Sequence, residues 1–202
     1  MLPPDAPSWH AADPLALAMP YWAFAWPGGA ALARYVLDHP EVVRGKRVLD
    51  FGSGCAIEGL AAMRAGAASV LCADIDLHAR WATEANAALN DVTLQFTNED
   101  LIGTELHDVD VILAGDVCYS SEVAARVVPW LRAQRAHVLV GDPRRVEGAL
   151  EDARALATYD CSFDGDPRGL TTWPTTVFEL TGSASDALRM PEDLRTRGHS
   201  DQ

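Results

Sequence analysis

The sequence predicts an α/β fold in which helices cover both faces of a mostly parallel sheet. Short apolar runs alternate with Ala-rich stretches of helical spacing along most of the chain, which is the pattern of a parallel sheet. Near the end, two strand candidates at 157–163 and 175–180 follow each other without a helix between them. Such a closing pair indicates a mixed sheet with one antiparallel strand. The 202 residues fit a single domain.

The first half of the domain alternates between strands and helices. A Val/Leu run ended by an aspartate predicts a strand over 46–51, and the helix that follows over 54–65 stops at a glycine. An apolar run predicts the second strand over 69–74, and Ala and Leu at helical spacing predict a helix over 77–90. Apolar and polar residues alternate over 92–96, as they do in a half-exposed strand.

The second half begins with a continuous apolar run over 109–115, which predicts a buried strand. A helix interrupted by Pro129 is expected over 121–134, a strand over 136–142, and a further helix over 146–157. With the two closing strands, these elements predict seven strands in one sheet.

The two ends of the chain fall outside this pattern. Residues 1–19 are expected to form a Pro/Ala-rich lead-in, and the domain is expected to extend over 20–181. The stretch 182–202 has little apolar content and is expected to be a flexible tail.

Charge and composition argue against several classes of function. The net charge of −13 would repel nucleic-acid phosphates. It would favour a cationic protein partner, or it could serve only solubility; the sequence favours neither. No apolar run reaches the roughly 18 residues of a membrane helix. The first 20 residues contain no Lys or Arg, which argues against a secretory signal or a transit peptide. The scattered cysteines and histidines predict reduced thiols and no metal site. We therefore expect a cytoplasmic protein, and we expect it to be a monomer.

A glycine loop follows the first strand directly and precedes a helix. Gly52 and Gly54 let the backbone approach a ligand closely, and the helix start adds exposed N–H groups. A dinucleotide fingerprint would need a glycine at position 57, where this chain has Ile57. Asp50, two residues before the first glycine, suits a ligand with an ammonium or sulfonium group. The loop therefore fits S-adenosylmethionine better than NAD.

Two further acids follow the second and third strands. Asp74 lies at the end of the second strand, where an acid usually accepts hydrogen bonds from ribose hydroxyls. Asp100 could accept a hydrogen bond from the adenine amino group, or it could be a loop carboxylate that faces water; the sequence favours neither. Asp76 is expected to cap the next helix.

A second group of candidate residues surrounds the expected methyl group. Asp116 and Tyr119 follow the fourth strand directly, at the carboxyl edge of the sheet. Upstream, the segment 20–29 packs four aromatic residues before a Pro-Gly-Gly sequence. Its rings could belong to the core, but their density predicts a lid over the cofactor.

A resemblance rests on six segments that occur in this order: PYWAFAWPGGAALARYVLDHP, VLDFGSGCAIEGLAA, CADID, GDVCY, VGDPRR and TTVFEL. They closely resemble those of the electron transfer flavoprotein β-subunit lysine methyltransferase family, which belongs to the seven-strand protein methyltransferases with a D-x-x-Y motif. The resemblance extends from about Pro20 to Leu180. It implies a Rossmann-like, seven-strand class I methyltransferase fold and, as substrate, a lysine of the flavoprotein β subunit.

The resemblance also assigns roles to residues. It implies that Asp50, Gly52, Gly54 and Asp74 hold S-adenosylmethionine with Trp26 lining the site, and that Asp116 and Tyr119 face the lysine. The loop has Ala56 where such loops often carry a third glycine, and cofactor binding is expected to survive this change. Three other functions stay open from the sequence: methylation of another protein such as a ribosomal one, methylation of a small molecule, and binding of an adenosine ligand without catalysis.

Overall fold

The computed structural model describes residues 20–162 and 172–180 of the chain. They contain a seven-stranded sheet in the order β3-β2-β1-β4-β5-β7-β6, in which β7 runs antiparallel to both of its neighbours. The strands are β1 (Arg47–Phe51), β2 (Ser69–Ala73), β3 (Gln95–Thr97), β4 (Val111–Gly115), β5 (His137–Asp142), β6 (Arg154–Cys161) and β7 (Trp173–Leu180). The predicted fold class, with its single antiparallel strand, is therefore confirmed. The predicted lead-in and tail lie outside the described residues.

In the described part of the chain, four α-helices accompany the sheet: α1 (Pro27–Asp38), α2 (Ile57–Arg64), α3 (Ala79–Leu89) and α4 (Ser121–Arg132). Short 3₁₀ helices occupy Tyr21–Ala23 and Pro40–Val42. The local sequence explains where two of the α-helices begin. Pro27 stands at the first turn of α1, where its fixed φ suits a helix, and the Ser120 hydroxyl caps α4 by accepting the Val123 N–H.

The core has one layer on each face of the sheet. On one face Leu32 and Val36 of α1 and Ala62 of α2 pack against strand residues such as Val48 and Leu139. On the other face α4 covers the neighbouring strand positions, because successive side chains alternate across a strand. The residues of that second layer include Leu49, Ile112, Val127, Leu131, Val138 and Phe178.

The prediction of a helix over 146–157 is wrong. Turns occupy most of 146–153, with Gly148 at φ 78°, and β6 begins at Arg154. The alanines of this stretch favour a helix locally, but pairing with β7 along nearly the whole of β6 overrides that preference. Helix α4, by contrast, runs through Pro129 to Arg132 without the predicted interruption. The buried side chains of Trp130 and Leu131 hold its last turn against the sheet.

Helix α1 approaches the carboxyl ends of β4 and β5 backbone to backbone. A Cβ atom on Gly28 would collide with the Gly141 carbonyl oxygen and the Asp116 backbone nitrogen. Likewise, a Cβ atom on Gly115 would collide with the backbone of Gly29, and one on Gly141 with Gly28. The Pro-Gly-Gly sequence is thus a packing requirement, and it seats the start of α1 on the sheet edge where a ligand is expected.

Within 20–162 and 172–180, no helix is long and apolar enough to cross a membrane. Over the same residues, no cluster of three or more His, Cys, Asp or Glu side chains is placed to hold a metal ion.

Candidate functional site

The glycine loop after β1 turns sharply before α2 begins. Gly52 and Gly54 have φ values of 69° and 47°, a region that glycine enters without strain. Ala56 also adopts a left-handed conformation, at φ 62°, which costs an alanine about 1–2 kcal/mol. These three residues delay the helix, so α2 begins at Ile57 rather than at the predicted position 54. The buried Ala56 therefore occupies the place of a third glycine with the backbone that a glycine would adopt.

The acid at the end of β2 fastens this loop. Asp74 accepts the Gly54 N–H through Oδ2 at 2.8 Å, and its Oδ1 accepts the Asp76 N–H at 2.9 Å. Next to it, the Ile75 side chain is 75% exposed. The loop glycines, a carboxylate and an exposed apolar side chain thus lie together at the carboxyl end of β1 and β2.

Asp50 lies beneath the loop rather than in it. Its side chain is completely buried, and Oδ2 accepts the Gly59 N–H of α2 at 2.8 Å. The Glu58 carboxyl hydrogen-bonds the Asp50 side chain when one of the two acids is protonated. Burial is the main cause that raises the pKa of Asp50 to about 7 and the pKa of Glu58 well above its usual range. Both buried acids therefore keep their protons to a higher pH than free carboxyls do, and the hydrogen bond from Gly59 to Asp50 ties β1 to α2.

This acid pair predicts an unusual pH dependence of stability. Because the pKa of Asp50 is raised to about 7 in the folded chain, the folded chain binds more protons than the unfolded chain above about pH 4. The free energy of unfolding therefore falls as the pH rises from about 4 toward 7. Replacing Glu58 by glutamine supplies Asp50 with a permanent donor, so the difference in unfolding free energy between about pH 5 and about pH 8 should shrink.

Chemical denaturation at the two pH values measures this difference. The matched control is Glu84→Gln, at an exposed position of α3, which should leave the pH dependence of the wild-type chain in place. An equal pH dependence in wild type and Glu58→Gln would contradict the raised pKa values of this acid pair.

Asp100 lies in an exposed loop after β3. Its Oδ1 accepts the Ile102 N–H at 3.1 Å, and its Oδ2 lies 3.4 Å from the Arg126 guanidinium of α4. The structure therefore gives Asp100 partners in its own loop and in α4. Its contact with an adenine remains a prediction.

The aromatic segment before α1 lies over the glycine loop. A Cβ atom on Gly54 would lie 3.5 Å from the Trp22 backbone, and the Trp22 ring stacks on His78 with centroids 6.1 Å apart. Trp26 donates its Nε1 proton to the Tyr21 carbonyl oxygen at 2.8 Å and stacks on the Tyr21 ring. The segment therefore has the position of a lid, with its turn closed by Trp26.

The D-x-x-Y motif follows β4 and places its two side chains differently. Asp116, at φ 58°, turns its carboxylate inward: Oδ2 accepts the Gly29 N–H at 3.0 Å and Oδ1 pairs with the Arg145 guanidinium. Burial raises the pKa of Asp116, and the charge of Arg145 opposes this shift. Tyr119, by contrast, is 55% exposed, and burial of the rest of its ring, together with the charge of Asp74, raises the pKa of its hydroxyl.

Sequence reasoning missed three residues of this site: Glu58, Arg145 and Trp173, whose ring centroid lies 5.6 Å from the Arg145 guanidinium. Glu58 follows the glycine loop inside a helix, and a charged residue in a helix usually faces water. Arg145 belongs to VGDPRR, a segment that follows β5 at the same sheet edge. An arginine placed there could have marked it as a partner for the acid that follows β4.

The chain is similar to several curated and structurally solved methyltransferases. A family model described as ribosomal protein L11 methyltransferase (PrmA) matches residues 31–118. Proteins named electron transfer flavoprotein beta subunit lysine methyltransferase are 44% identical over 152 residues in Xenopus laevis and 41% identical over 142 residues in Homo sapiens. Those matches cover 71% and 68% of this chain but only 62% and 54% of the relatives. The chain thus spans little more than half the length of these relatives.

A Caenorhabditis elegans protein named as a homolog of the same methyltransferase is 34% identical, with 78% of this chain and 72% of the relative covered. Among solved structures, ribosomal protein L11 methylase from Lactobacillus delbrueckii subsp. bulgaricus has a TM-score of 0.58 at 23% identity, covering 79% of this chain and 81% of that one. Magnesium protoporphyrin IX methyltransferase from Synechocystis with bound SAM has a TM-score of 0.55 at 16% identity, covering 77% and 78%. These two structures share the fold of this chain.

Proposed function

Because the chain belongs to the electron transfer flavoprotein β-subunit lysine methyltransferase family, we propose that it transfers methyl groups from S-adenosylmethionine to protein lysines. The substrate we propose is the β subunit of electron transfer flavoprotein. The observation that carries the proposal is the convergence at one sheet edge of the Gly52–Gly54 loop, Asp74 and the D-x-x-Y tyrosine. The enzyme is proposed to act as a cytoplasmic monomer on protein rather than nucleic acid, consistent with its net charge of −13.

The residues at this edge fit S-adenosylmethionine. Backbone with left-handed glycines admits a ligand close to the chain, and the Asp74 carboxylate lies where ribose hydroxyls could donate to it. The exposed Ile75 beside it offers an apolar surface to an adenine ring. Trp26 and the lid would cover the methionine end. Asp50, which is buried, would act from beneath by fixing the loop to α2.

The chemistry proposed is an in-line displacement at carbon, in which positioning and exclusion of water supply most of the catalysis. The lysine amine reacts only when neutral, and at a reference pKa of about 10.4 roughly 0.04% of it is neutral at pH 7. Its nitrogen forms the new bond to the methyl carbon, the sulfur–carbon bond breaks, and the electron pair stays on sulfur. The methylated ammonium then loses a proton to water. S-adenosylmethionine would supply the methyl group, and its sulfur would leave as the neutral thioether of S-adenosylhomocysteine.

Tyr119 is the proposed contact for the lysine, since its ring is half exposed beside Asp74. Replacing it by alanine should lower kcat/KM for the protein substrate between about twofold and about thirtyfold, because a cation–π contact to the positive charge that develops on the nitrogen during methyl transfer contributes about 0.5–2 kcal/mol. Tyr119→Phe keeps the ring and should retain most of the activity. Steady-state methylation assays and a cofactor titration distinguish the two effects. Loss of S-adenosylmethionine affinity in Tyr119→Ala, equal to the loss of activity, would contradict the assignment.

The direct test incubates the purified chain with purified flavoprotein β subunit and S-adenosylmethionine, followed by mass spectrometry of the intact subunit and of its peptides. A gain of one or more methyl groups on lysine is the expected result. Because an aromatic contact persists after each methylation, we expect di- and trimethyl-lysine at long times. An unmodified subunit beside a methylated protein from an extract would reject the proposed substrate and keep the reaction.

A second candidate substrate is a ribosomal protein. The observation that favours it is the match of residues 31–118 to the ribosomal protein L11 methyltransferase model. Incubation of the chain with purified ribosomal proteins under the same conditions, in competition with the flavoprotein subunit, decides between them by relative kcat/KM.

A further inference from the structure

The VGDPRR segment takes no part in the methyl transfer described above, yet its second arginine, Arg145, is nearly buried at the site. At the end of β5, Asp142 Oδ1 accepts the N–H groups of Arg144 and Arg145 at 2.5 and 3.2 Å. Arg144 is left-handed at φ 58°. This tight turn sends the Arg145 side chain back across the sheet edge, where it is 4% exposed.

Arg145 lies in a box with one acid and two indole rings. Its guanidinium pairs with Asp116 and lies 5.9 Å from the Trp26 ring centroid and 5.6 Å from that of Trp173. Trp26 immediately precedes α1, and Trp173 is the first residue of β7. A cation facing aromatic rings and a carboxylate is favourably placed. This box is therefore the kind of site that binds an amine cation, and the chain fills it with its own arginine.

The same contacts occupy both oxygens of Asp116. Oδ1 is bound to Arg145 and Oδ2 to the Gly29 N–H, and the side chain is only 11% exposed. A carboxylate whose oxygens are both bound, beside a guanidinium, has little net attraction for a second cation. The Asp116–Arg145 pair thus presents almost no net charge to the substrate side.

We propose that Arg145 is a positioning residue that neutralises Asp116 and so prevents the D-x-x-Y aspartate from holding the substrate lysine as an unreactive ammonium. This inference rests on the proposed function. An opposite charge within about 4–6 Å shifts a pKa by about 1–3 units toward the charged form. A free Asp116 carboxylate would therefore lower the neutral fraction of the amine by about tenfold or more. With Arg145 in place, Asp116 keeps its second task, which is to hold the start of α1 and the lid through Gly29.

Other titratable groups face the pair from neighbouring elements: Asp142 of β5, Glu58 of α2, Cys118 after β4 and Cys161 of β6. Burial raises the pKa of Asp142 to about 6 and that of Cys118 to about 12. All four groups are present in every variant below, but the charges of the pair also act on them: Arg145 lowers the pKa of Asp142, and Asp116 raises it. The titration of Asp116 itself therefore reports on the pair more directly than the pH profile does.

The test compares the pH dependence of kcat, which reports ionisations in the enzyme–substrate complex, in four forms of the full chain: wild type, Arg145→Gln, Asp116→Asn and the double variant. Arg145→Gln leaves one negative charge, so the acid limb of the profile should move to higher pH by about one unit or more. Asp116→Asn leaves one positive charge and keeps an oxygen for Gly29, so its limb should move to lower pH. The double variant has no charge in the box, and its limb should return to the wild-type position.

A purely structural role predicts a different result, namely an equal loss of activity at every pH in both single variants. Limbs that do not move, or that move in the same direction, would overturn the proposal. Thermal unfolding of each form checks the fold, because one unpaired buried charge can cost about 3–5 kcal/mol. If Arg145→Gln does not fold, Asp116→Asn is compared with the double variant instead. These two forms differ only by the positive charge of Arg145, so the shift between their acid limbs tests the same effect with the opposite sign.

A second measurement separates this proposal from the proposed function. Carboxyl ¹³C titration of Asp116, assigned by the signal missing in Asp116→Asn, reports its ionisation without any substrate. The pKa of Asp116 should be higher in Arg145→Gln than in wild type, and an unchanged midpoint would contradict neutralisation by Arg145. If the wild-type chain methylates no protein, the proposed function fails, whereas this titration still decides whether Arg145 holds Asp116 ionised.

Discussion

Replacing Gly28 by alanine is expected to lower the free energy of unfolding by about 3 kcal/mol. The added Cβ would collide with the Gly141 carbonyl oxygen and the Asp116 backbone nitrogen, neither of which can turn away as a side chain end can. To accommodate it, α1 must lift from β4 and β5. The gain in helix propensity from glycine to alanine, about 1 kcal/mol, is too small to offset this displacement. Chemical denaturation of the purified variant measures the change.

Gly29→Ala is the matched control for Gly28→Ala. A Cβ atom on Gly29 would lie 3.0 Å from Glu58 Oε1 and 3.2 Å from an Ile57 methyl, side-chain atoms that would need to move by only a few tenths of an ångström. Its unfolding free energy should therefore stay within about 1 kcal/mol of wild type. Equal stabilities of the two variants would show that α1 does not rest on the strand ends as described.

Asp74→Ala is expected to weaken S-adenosylmethionine binding by about 10- to 100-fold. The Asp74 carboxylate fastens the glycine loop through the Gly54 N–H and is the proposed acceptor for the ribose. A hydrogen bond to a charged group contributes about 1.5–3 kcal/mol, and about 1.4 kcal/mol corresponds to a tenfold change in affinity. Isothermal titration of the variant with S-adenosylmethionine and with the demethylated product measures the loss.

The neighbouring exposed acid provides the control for Asp74. Asp76 accepts the His78 N–H and has the His78 ring as its other partner, both at the start of α3. Asp76→Ala should therefore change cofactor affinity by no more than about threefold. A loss as large as that of Asp74→Ala would mean that the loop responds to negative charge in general and would remove the specific role of Asp74.

Most of the fold could be predicted because its signals are local. The first crossover of the parallel sheet is marked by signals that follow one another closely in the sequence: the Val/Leu run of β1, the glycine loop and the acid at the end of β2. The stretch 146–157 shows the limit of this approach. Its alanines favour a helix. The observed strand β6, however, depends on pairing with β7, whose residues lie about a dozen or more positions further along the chain, and no local pattern contains that contact.

The candidate site was predictable in part for a similar reason. Topology brings the ends of parallel strands to one edge, so the acids at or just after the ends of β1, β2 and β4 could be placed there from sequence. The directions of their side chains could not. Asp50, within β1, points into the interior toward Gly59, and Asp116, in the turn after β4, points toward Gly29 and Arg145. The partnership between Asp116 and Arg145 joins residues 29 positions apart and depends on the turn that Asp142 caps.

The most direct measurement incubates radiolabelled S-adenosylmethionine and the purified chain with an extract of cells that lack the chain, and then identifies labelled bands by mass spectrometry. We predict that a labelled protein carries methyl-lysine, that this protein is the flavoprotein β subunit, and that Asp74→Ala loses the label at limiting cofactor. Label confined to small molecules, or no label despite measurable cofactor binding, would contradict the assignment as a protein-lysine methyltransferase.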